Sequence, residues 1–377
     1  MRRLTDRLPG SEAMDAAMKL ARQYFVEIAQ PQRTRFIARR ESYHGATLGS
    51  LAMGGHAARR AIYEPLLLDN ISHVSPCNAY RMREGESEER YVARLIGELE
   101  QEFEAVGPKT VCAFVAEPVV GAALGCVPPV RGYFEAVRKV CDRYGALPIL
   151  DEVMCGIGRT GTLHAWQDPL IGVVPDIQTV GKGLGGGYAP IAAVLVGGRV
   201  VDVLERGTGA FSHGQTYQGH PLSCAAALEV QRVIRDERLV QNVANLGMYL
   251  EQLLLEQVAP LPYVGDVRGR GFFWGVCERL ACLILPVANL TQIEFVQDKE
   301  TKEPFPLERG VATGVHELGM LEPYNISLYP GNGTMDGKRG DHVLIAPAYN
   351  VDREDIELIV GTAARVIAAY FAKSIVI

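Results

Sequence analysis

The sequence has no excess of positive charge: 38 Lys and Arg stand against 44 Asp and Glu, a formal net charge of -6. Binding along a nucleic-acid backbone needs the opposite balance, so nucleic acid is not expected as a partner. No run of about 18 uncharged apolar residues occurs, which argues against a membrane-spanning helix and a membrane partner. The opening MRRLTDRLPG has three arginines but no apolar stretch behind them, so it does not read as a secretory signal. Eight cysteines are scattered without a C-x-x-C pair. They read as reduced, mostly buried thiols of a cytoplasmic chain, with no metal site expected.

What is present is ordinary globular composition: 377 residues, 48% hydrophobic, 22% charged, with 40 Gly as punctuation. That length predicts two domains. Helical spacing runs over Glu12 to Ile28 behind Ser11 as a cap, over Ser87 to Val106, Arg131 to Tyr144, Pro221 to Arg235 and Leu239 to Val258, and over a closing helix from Asp352 to Phe371. Between them lie strand-length apolar runs at Arg35 to Ala38, Thr110 to Val115, Ala146 to Leu150, Ile177 to Val180 and Ile191 to Val196. Strands alternating with helices predict an α/β fold with a largely parallel sheet covered on both faces. The expected division is a large domain over 10–240 and a smaller α+β domain over 241–377.

In such sheets ligands sit beyond the carboxyl ends of the strands. Three polar signals fall there: Glu117, the pair Asp151-Glu152, and Lys182 within the run GKGLGGG. The glycine run fails as a P-loop, because Asp176 and Gly183 stand where Gly and Ser or Thr are required. It meets G-x-G-x-x-G in form, yet the stretch from Tyr188 to Val196 contains Pro190 and β-branched residues where a helix should follow. What remains is a lysine on a glycine-rich turn, where a flat ligand can approach the backbone closely. A lysine so placed can form a Schiff base, and pyridoxal phosphate is the cofactor that uses one, with an acidic partner such as Asp151 for its pyridine nitrogen. Gly10 and Ser11, opening the first helix, offer backbone N–H groups to a phosphate. Tyr43 is the candidate for stacking on the ring. Against this stands the plain reading of Asp151 and Lys182 as a structural ion pair or as solvated loop residues.

The ordered strings GSEAMDAAMKLAR, SYHGATLG, AEPVVG, ILDEVMCGIGRTG, VGKGLGGG, TYQGHP, VRGRGFFWG and GDHVLIAP resemble the class III pyridoxal-phosphate-dependent aminotransferases, from about Gly10 to the C-terminus. The resemblance implies the fold-type I architecture, a mostly parallel seven-stranded sheet with a smaller domain. It implies Lys182 as the Schiff-base lysine and Asp151 as the partner of the pyridine nitrogen. Val153 and Tyr43 would pack on the two ring faces, His44 and Glu117 would lie beside the cofactor, and Gly10 and Ser11 would hold its phosphate. Thr216 would reach that phosphate from a neighbouring subunit, so a homodimer with shared sites is implied. The implied reaction moves an amino group from an amine donor to a keto-acid acceptor. The same scaffold also hosts racemases, decarboxylases, aminomutases and lyases, and a non-catalytic homologue is a further alternative.

Four departures from the family pattern bear on these expectations. Ala46 and Ala122 stand where ornithine- and GABA-type members carry an arginine and a glutamate gate, which places the chain nearer the broad ω-amine group. Met154 replaces a glutamine beside the cofactor's hydroxyl. The family's segment before the S-E-A helix, including the strand leading into the phosphate loop, is expected to be missing, and Leu8-Pro9-Gly10 replaces small polar residues. Finally, the sixteen residues from Cys277 to Gln292 interrupt a stretch that would otherwise read WGVIEFVQDKETKEPF, and read as a retained intron or other gene-model error.

Overall fold

The structure is a computed structural model that describes residues 3–7, 10–277 and 293–374. Leu8, Pro9 and all of the expected insertion except Cys277 lie outside the described residues. The chain divides into two units. The first comprises Met1–Pro118, Pro129–Gly158 and Leu163–Glu237, and the second Val119–Pro128, Arg159–Thr162 and Arg238–Ile377. The last boundary between the units falls at Glu237, and two short earlier stretches belong to the second unit. Those stretches are loops without hydrophobic periodicity, so nothing in their sequence marks which unit they join.

The first unit is built on a seven-stranded sheet in the order β1-β7-β6-β5-β4-β2-β3. Its strands are β1 (Arg3–Arg7), β2 (Arg35–Arg39), β3 (Ile71–Val74), β4 (Val111–Ala116), β5 (Leu147–Glu152), β6 (Ile177–Val180) and β7 (Ala192–Val196). The pairs among β2 to β6 are parallel, and β7 runs antiparallel to both β6 and β1. Every residue of β4 and β5 is buried, as a sheet covered on both faces requires. Helix α1 (Gly10–Glu27) lays Ala13, Ala16, Ala17, Leu20 and Ala21 into the core shared with Ala113, Ile149, Ala192 and Val194. Its alanines bring helix and sheet backbones close together.

The remaining helices of this unit are α2 (Leu48–Met53), α3 (Ala57–Arg60), α4 (Glu88–Val106), α5 (Tyr133–Tyr144), α6 (Gly198–Arg206) and α7 (Pro221–Asp236). Ser87 caps α4 by accepting from Arg90 N, and Gly145 closes α5 with φ +69. Ser11 does not cap α1: it is the helix's second residue, and its hydroxyl accepts from Ala46 N at 3.0 Å. The expected absence of the strand before the phosphate loop is also corrected. Arg3–Arg7 pairs with β7 from Arg3 opposite Val196 to Arg7 opposite Ala192. RLTDR lacks apolar alternation, so only pairing with a buried neighbour makes it a strand.

In the second unit α8 (Leu239–Gln257), α9 (Val311–Gly319) and α10 (Arg353–Ser374) accompany a sheet whose pairing runs β12-β13-β10-β8-β9, with β11 on β10. These strands are β8 (Val264–Arg270), β9 (Phe273–Cys277), β10 (Ile293–Asp298), β11 (Glu303–Pro304), β12 (Tyr329–Gly331) and β13 (Asp341–Leu344). Leu250, Val264, Phe295, Val343, Val360 and Ile367 belong to its separate core. Among the described residues, no helix is long and apolar enough to cross a membrane.

Candidate active site

Five chain segments converge where the carboxyl ends of β2, β4, β5 and β6 meet the start of α1, all within the first unit. A cavity of about 160 Å³ there is lined by Gly10, Ser11, Tyr43, His44, Gly45, Glu117, Asp151, Val153, Met154 and Lys182. Thr216 is not among these lining residues; it lies in the turn that precedes α7.

Asp151 ends β5 and is 5% exposed. Its Oδ2 lies 2.8 Å from His44 Nδ1, and its Oδ1 accepts from Thr179 Oγ1 at 3.0 Å and from Val153 N at 3.1 Å. Asp151 is thereby held at a set angle, as a buried charge must be. Thr179 reaches it because β6 pairs with β5 so that Asp151 stands opposite Thr179. Sequence reasoning missed Thr179, since inter-strand register leaves no mark in a single chain.

Glu117 follows β4 and is buried, and its Oε1 accepts from Tyr43 N at 3.1 Å. Arg39, also buried, donates from Nη2 to the Glu117 carbonyl at 2.5 Å. The Tyr43 ring carries the Arg59 guanidinium on one face, 4.4 Å from its centroid. Arg59 is the second residue that sequence reasoning missed, and no motif in the string marks it.

Lys182 begins the turn after β6, is exposed in the single chain, and has φ +39. A left-handed backbone costs a lysine roughly 1–3 kcal/mol, and such strain concentrates at functional sites. The turn at Gly45 has φ +141, and a Cβ there would collide with Ser50 and lie 2.6 Å from Ser11 Oγ. The glycine therefore lets the residues after His44 fold back onto the start of α1. A Cβ on Gly10 would come within 2.6 Å of Val153 Cγ1, and one on Gly181 within 3.3 Å of the same atom. Val153 therefore sits hard against both the helix start and the lysine turn, and forms a tight wall of the cavity. Met154 lines the cavity as well.

Next to Asp151, Glu152 is fully buried and accepts from Ala165 N at 2.6 Å and Trp166 N at 2.9 Å. Burial pushes its carboxyl up to about 7 against the pull of these donors. It holds the loop that follows β5 and does not line the cavity.

The residues present fit pyridoxal phosphate. The N-terminus of an 18-residue helix leaves backbone N–H groups without intrahelical partners at Gly10 and Ser11, a site for an anion. The glycine at position 10 leaves room that any side chain would fill. A fixed carboxylate, an aromatic face and a lysine amine share the same cavity.

Comparison with known proteins agrees with this geometry. The family model for aminotransferase class-III matches residues 7–281. An aminotransferase from Gibberella zeae is 56% identical over 356 residues, covering 93% of this chain and 66% of the relative, so the chain spans about two thirds of that protein's length. Among solved structures, an amine transaminase from an uncultivated Pseudomonas species in its PLP-bound form aligns with TM-score 0.85 at 31% identity, over 98% of this chain and 77% of its own. An (S)-enantioselective omega-transaminase from Thermomicrobium roseum aligns with TM-score 0.83 at 34% identity, over 97% of this chain and 75% of its own.

Proposed function

The chain belongs to the class III aminotransferase family, and from that premise we propose that it is a pyridoxal-phosphate-dependent transaminase. It moves an amino group from an ω-amine or amino acid to a keto acid such as pyruvate or 2-oxoglutarate. The observation that carries this reading is the convergence of Lys182, the fixed carboxylate of Asp151 and the N-terminus of α1 on one cavity.

When bound, pyridoxal phosphate supplies a conjugated ring that withdraws electrons from the carbon bearing the amine. Asp151 would face the pyridine nitrogen, where its carboxylate would favour the protonated ring. His44, Thr179 and Val153 N hold Asp151 in the orientation this needs. Tyr43 and Val153 would pack against the two ring faces, and Glu117 fixes the Tyr43 backbone. Gly10 and Ser11 hold the phosphate. Lys182 Nζ, on its strained turn, would be the amine that holds the cofactor, and when free it would move a proton off the substrate carbon as general base and deliver it to the cofactor's side of the C–N bond as general acid.

The enzyme works as a homodimer, with Thr216 of the partner subunit completing the phosphate site. Support comes from the large apolar side chains left exposed next to Thr216 in the chain, Tyr217 at 61% and Leu222 at 75%, of the kind that subunit contacts cover. Ala46 and Ala122 leave out the arginine and the glutamate gate of ornithine- and GABA-type members, which favours ω-amines as donors.

The test is spectroscopic. Protein titrated with pyridoxal phosphate shows a visible absorbance band that borohydride abolishes and that Lys182→Ala lacks. A panel of amine donors with pyruvate and 2-oxoglutarate then separates transamination from other chemistry on the scaffold. Absence of a band at saturating cofactor overturns the assignment.

A further inference from the structure

β9 pairs antiparallel with β8, with Trp274 opposite Gly269, Val276 opposite Val267 and Cys277 opposite Asp266. β10 also pairs antiparallel with β8, with Glu294 opposite Asp266 and, beyond a register shift, Phe295 opposite Val264. The two strands thus occupy consecutive stretches of β8. They approach within 8 Å of each other, and each approaches within 8 Å of β13. Strands on opposite edges of β8 would stand about 9–10 Å apart, so β9 and β10 run end to end along one edge.

Asp266 faces two partners, Cys277 and Glu294, that are seventeen residues apart in the chain. If Val276–Gln292 were absent, Ile293 would follow Gly275 and stand opposite Val267. Glu294 would stand opposite Asp266, the place it already holds. The ladder therefore continues through the junction when seventeen residues are removed.

The sixteen residues suggested by the motif alone fail on side-chain direction. Removing Cys277–Gln292 keeps Phe295 opposite Val264 but sets Glu294 opposite Gly265, whereas removing Val276–Gln292 keeps both observed pairs together with the register shift between them; a one-residue slip at Glu294 turns its side chain to the other face of the sheet. The face matters because Glu294 and Asp266 both pair with Arg268, Glu294 Oε2 lying 3.3 Å from Arg268 Nη2. All three residues are at most 4% exposed. Arg268 Nη2 also donates to Leu124 O at 2.8 Å, which ties down the Val119–Pro128 stretch of this unit. Turned to the other face, Glu294 would lose Arg268 and the guanidinium would keep Asp266 alone, so the buried carboxylate would be left without its cation.

The coding constraint points to the same boundary. Every valine codon begins with GT and a glutamine codon can end in AG, the dinucleotides that bound a spliceosomal intron. Excision from Val276 through Gln292 has these ends and keeps the reading frame, whereas excision in frame from the Cys277 codon would begin with TG.

We infer that β9 and β10 are the two halves of one strand, and that Val276–Gln292 is an in-frame insertion left by an unspliced intron. The chain without these seventeen residues is the form whose second unit carries an uninterrupted hairpin partner for β8.

Three recombinant chains test this: the full chain, a variant lacking 276–292 and a variant lacking 277–292, compared by thermal unfolding and by amide exchange of β8. The seventeen-residue deletion is expected to raise Tm by on the order of 5 °C, because the chain between two paired strands is shortened, and to slow exchange in β8. The sixteen-residue deletion is expected to unfold below it. The inference is overturned if the seventeen-residue deletion unfolds below the full chain, if neither deletion folds, or if the sixteen-residue deletion equals or exceeds the other. Transcript sequencing is expected to find messages lacking codons 276 to 292, and uniform retention overturns the intron origin.

Discussion

His44 Nδ1 and Asp151 Oδ2 lie 2.8 Å apart with both side chains almost wholly out of solvent, at 0% and 5% exposure. The histidine comes from the loop after β2 and the aspartate from the end of β5, two segments 107 residues apart in the chain. Their bond sets the direction in which Asp151 presents its charge, and four expectations follow from the site around it.

Replacing His44 by Phe removes a charge-assisted hydrogen bond worth about 1.5–3 kcal/mol and leaves Asp151 with Thr179 and Val153 N alone. Affinity for pyridoxal phosphate should fall about tenfold to a hundredfold, read from an absorbance titration. A dissociation constant within twofold of the parent would show that His44 does not orient the carboxylate.

At Gly10 the limit is space. A Cβ would lie 2.6 Å from Val153 Cγ1, so Gly10→Ala must displace the valine wall, an overpacking cost of about 1–3 kcal/mol. Gly10→Ala should lower both cofactor affinity and Tm, and adding Val153→Ala should recover Tm. No recovery in the double variant would place the defect elsewhere.

Glu152 makes stability depend on pH. Its folded-state value of about 7 lies above the ordinary carboxylate range, so its contribution is fully present below the unfolded pKa and is lost as pH rises through the folded one. Stability should therefore decline between about pH 5 and pH 8, with on the order of 1–3 kcal/mol from this group. Urea denaturation of Glu152→Gln should show a lower stability at pH 5 and a flatter profile up to pH 8. An unchanged slope would refute the assignment to this residue.

Arg59 is exposed, and its guanidinium covers one face of Tyr43 at 4.4 Å. A cation–π contact at such a site contributes about 0.5–1 kcal/mol. Arg59→Ala should weaken cofactor binding roughly two- to fivefold and leave Tm nearly unchanged, since little packing is lost. A large fall in Tm would mean that the arginine is structural.

Much of this site could be read in the string because its chemistry is local. Asp151 closes an apolar run, and Lys182 follows one and opens a glycine turn, so each is placed at a strand's carboxyl end by its own neighbours. Gly10 and Ser11 stand at the start of a helix whose spacing is plain. Thr179 and Arg59 could not be found that way. Thr179 is one residue in a buried strand until β6 pairs beside β5, and Arg59 is one of several arginines until its helix is laid over Tyr43.

The same division holds for the fold. Periodicity and punctuation in the sequence determined the long helices α1, α4, α5, α7, α8 and α10 and the buried strands β2 and β4 to β7, since burial of one face or two dictates spacing within a segment, but not the short elements α2, α3, α6, α9 and β3. Only the tertiary structure decided that RLTDR is a strand, that Ser11 bonds to Ala46 and caps nothing, and that Glu294 stands opposite Asp266. Each of these depends on which backbone lies alongside, and hydrogen bonding between segments is a property of their register, which no segment encodes alone.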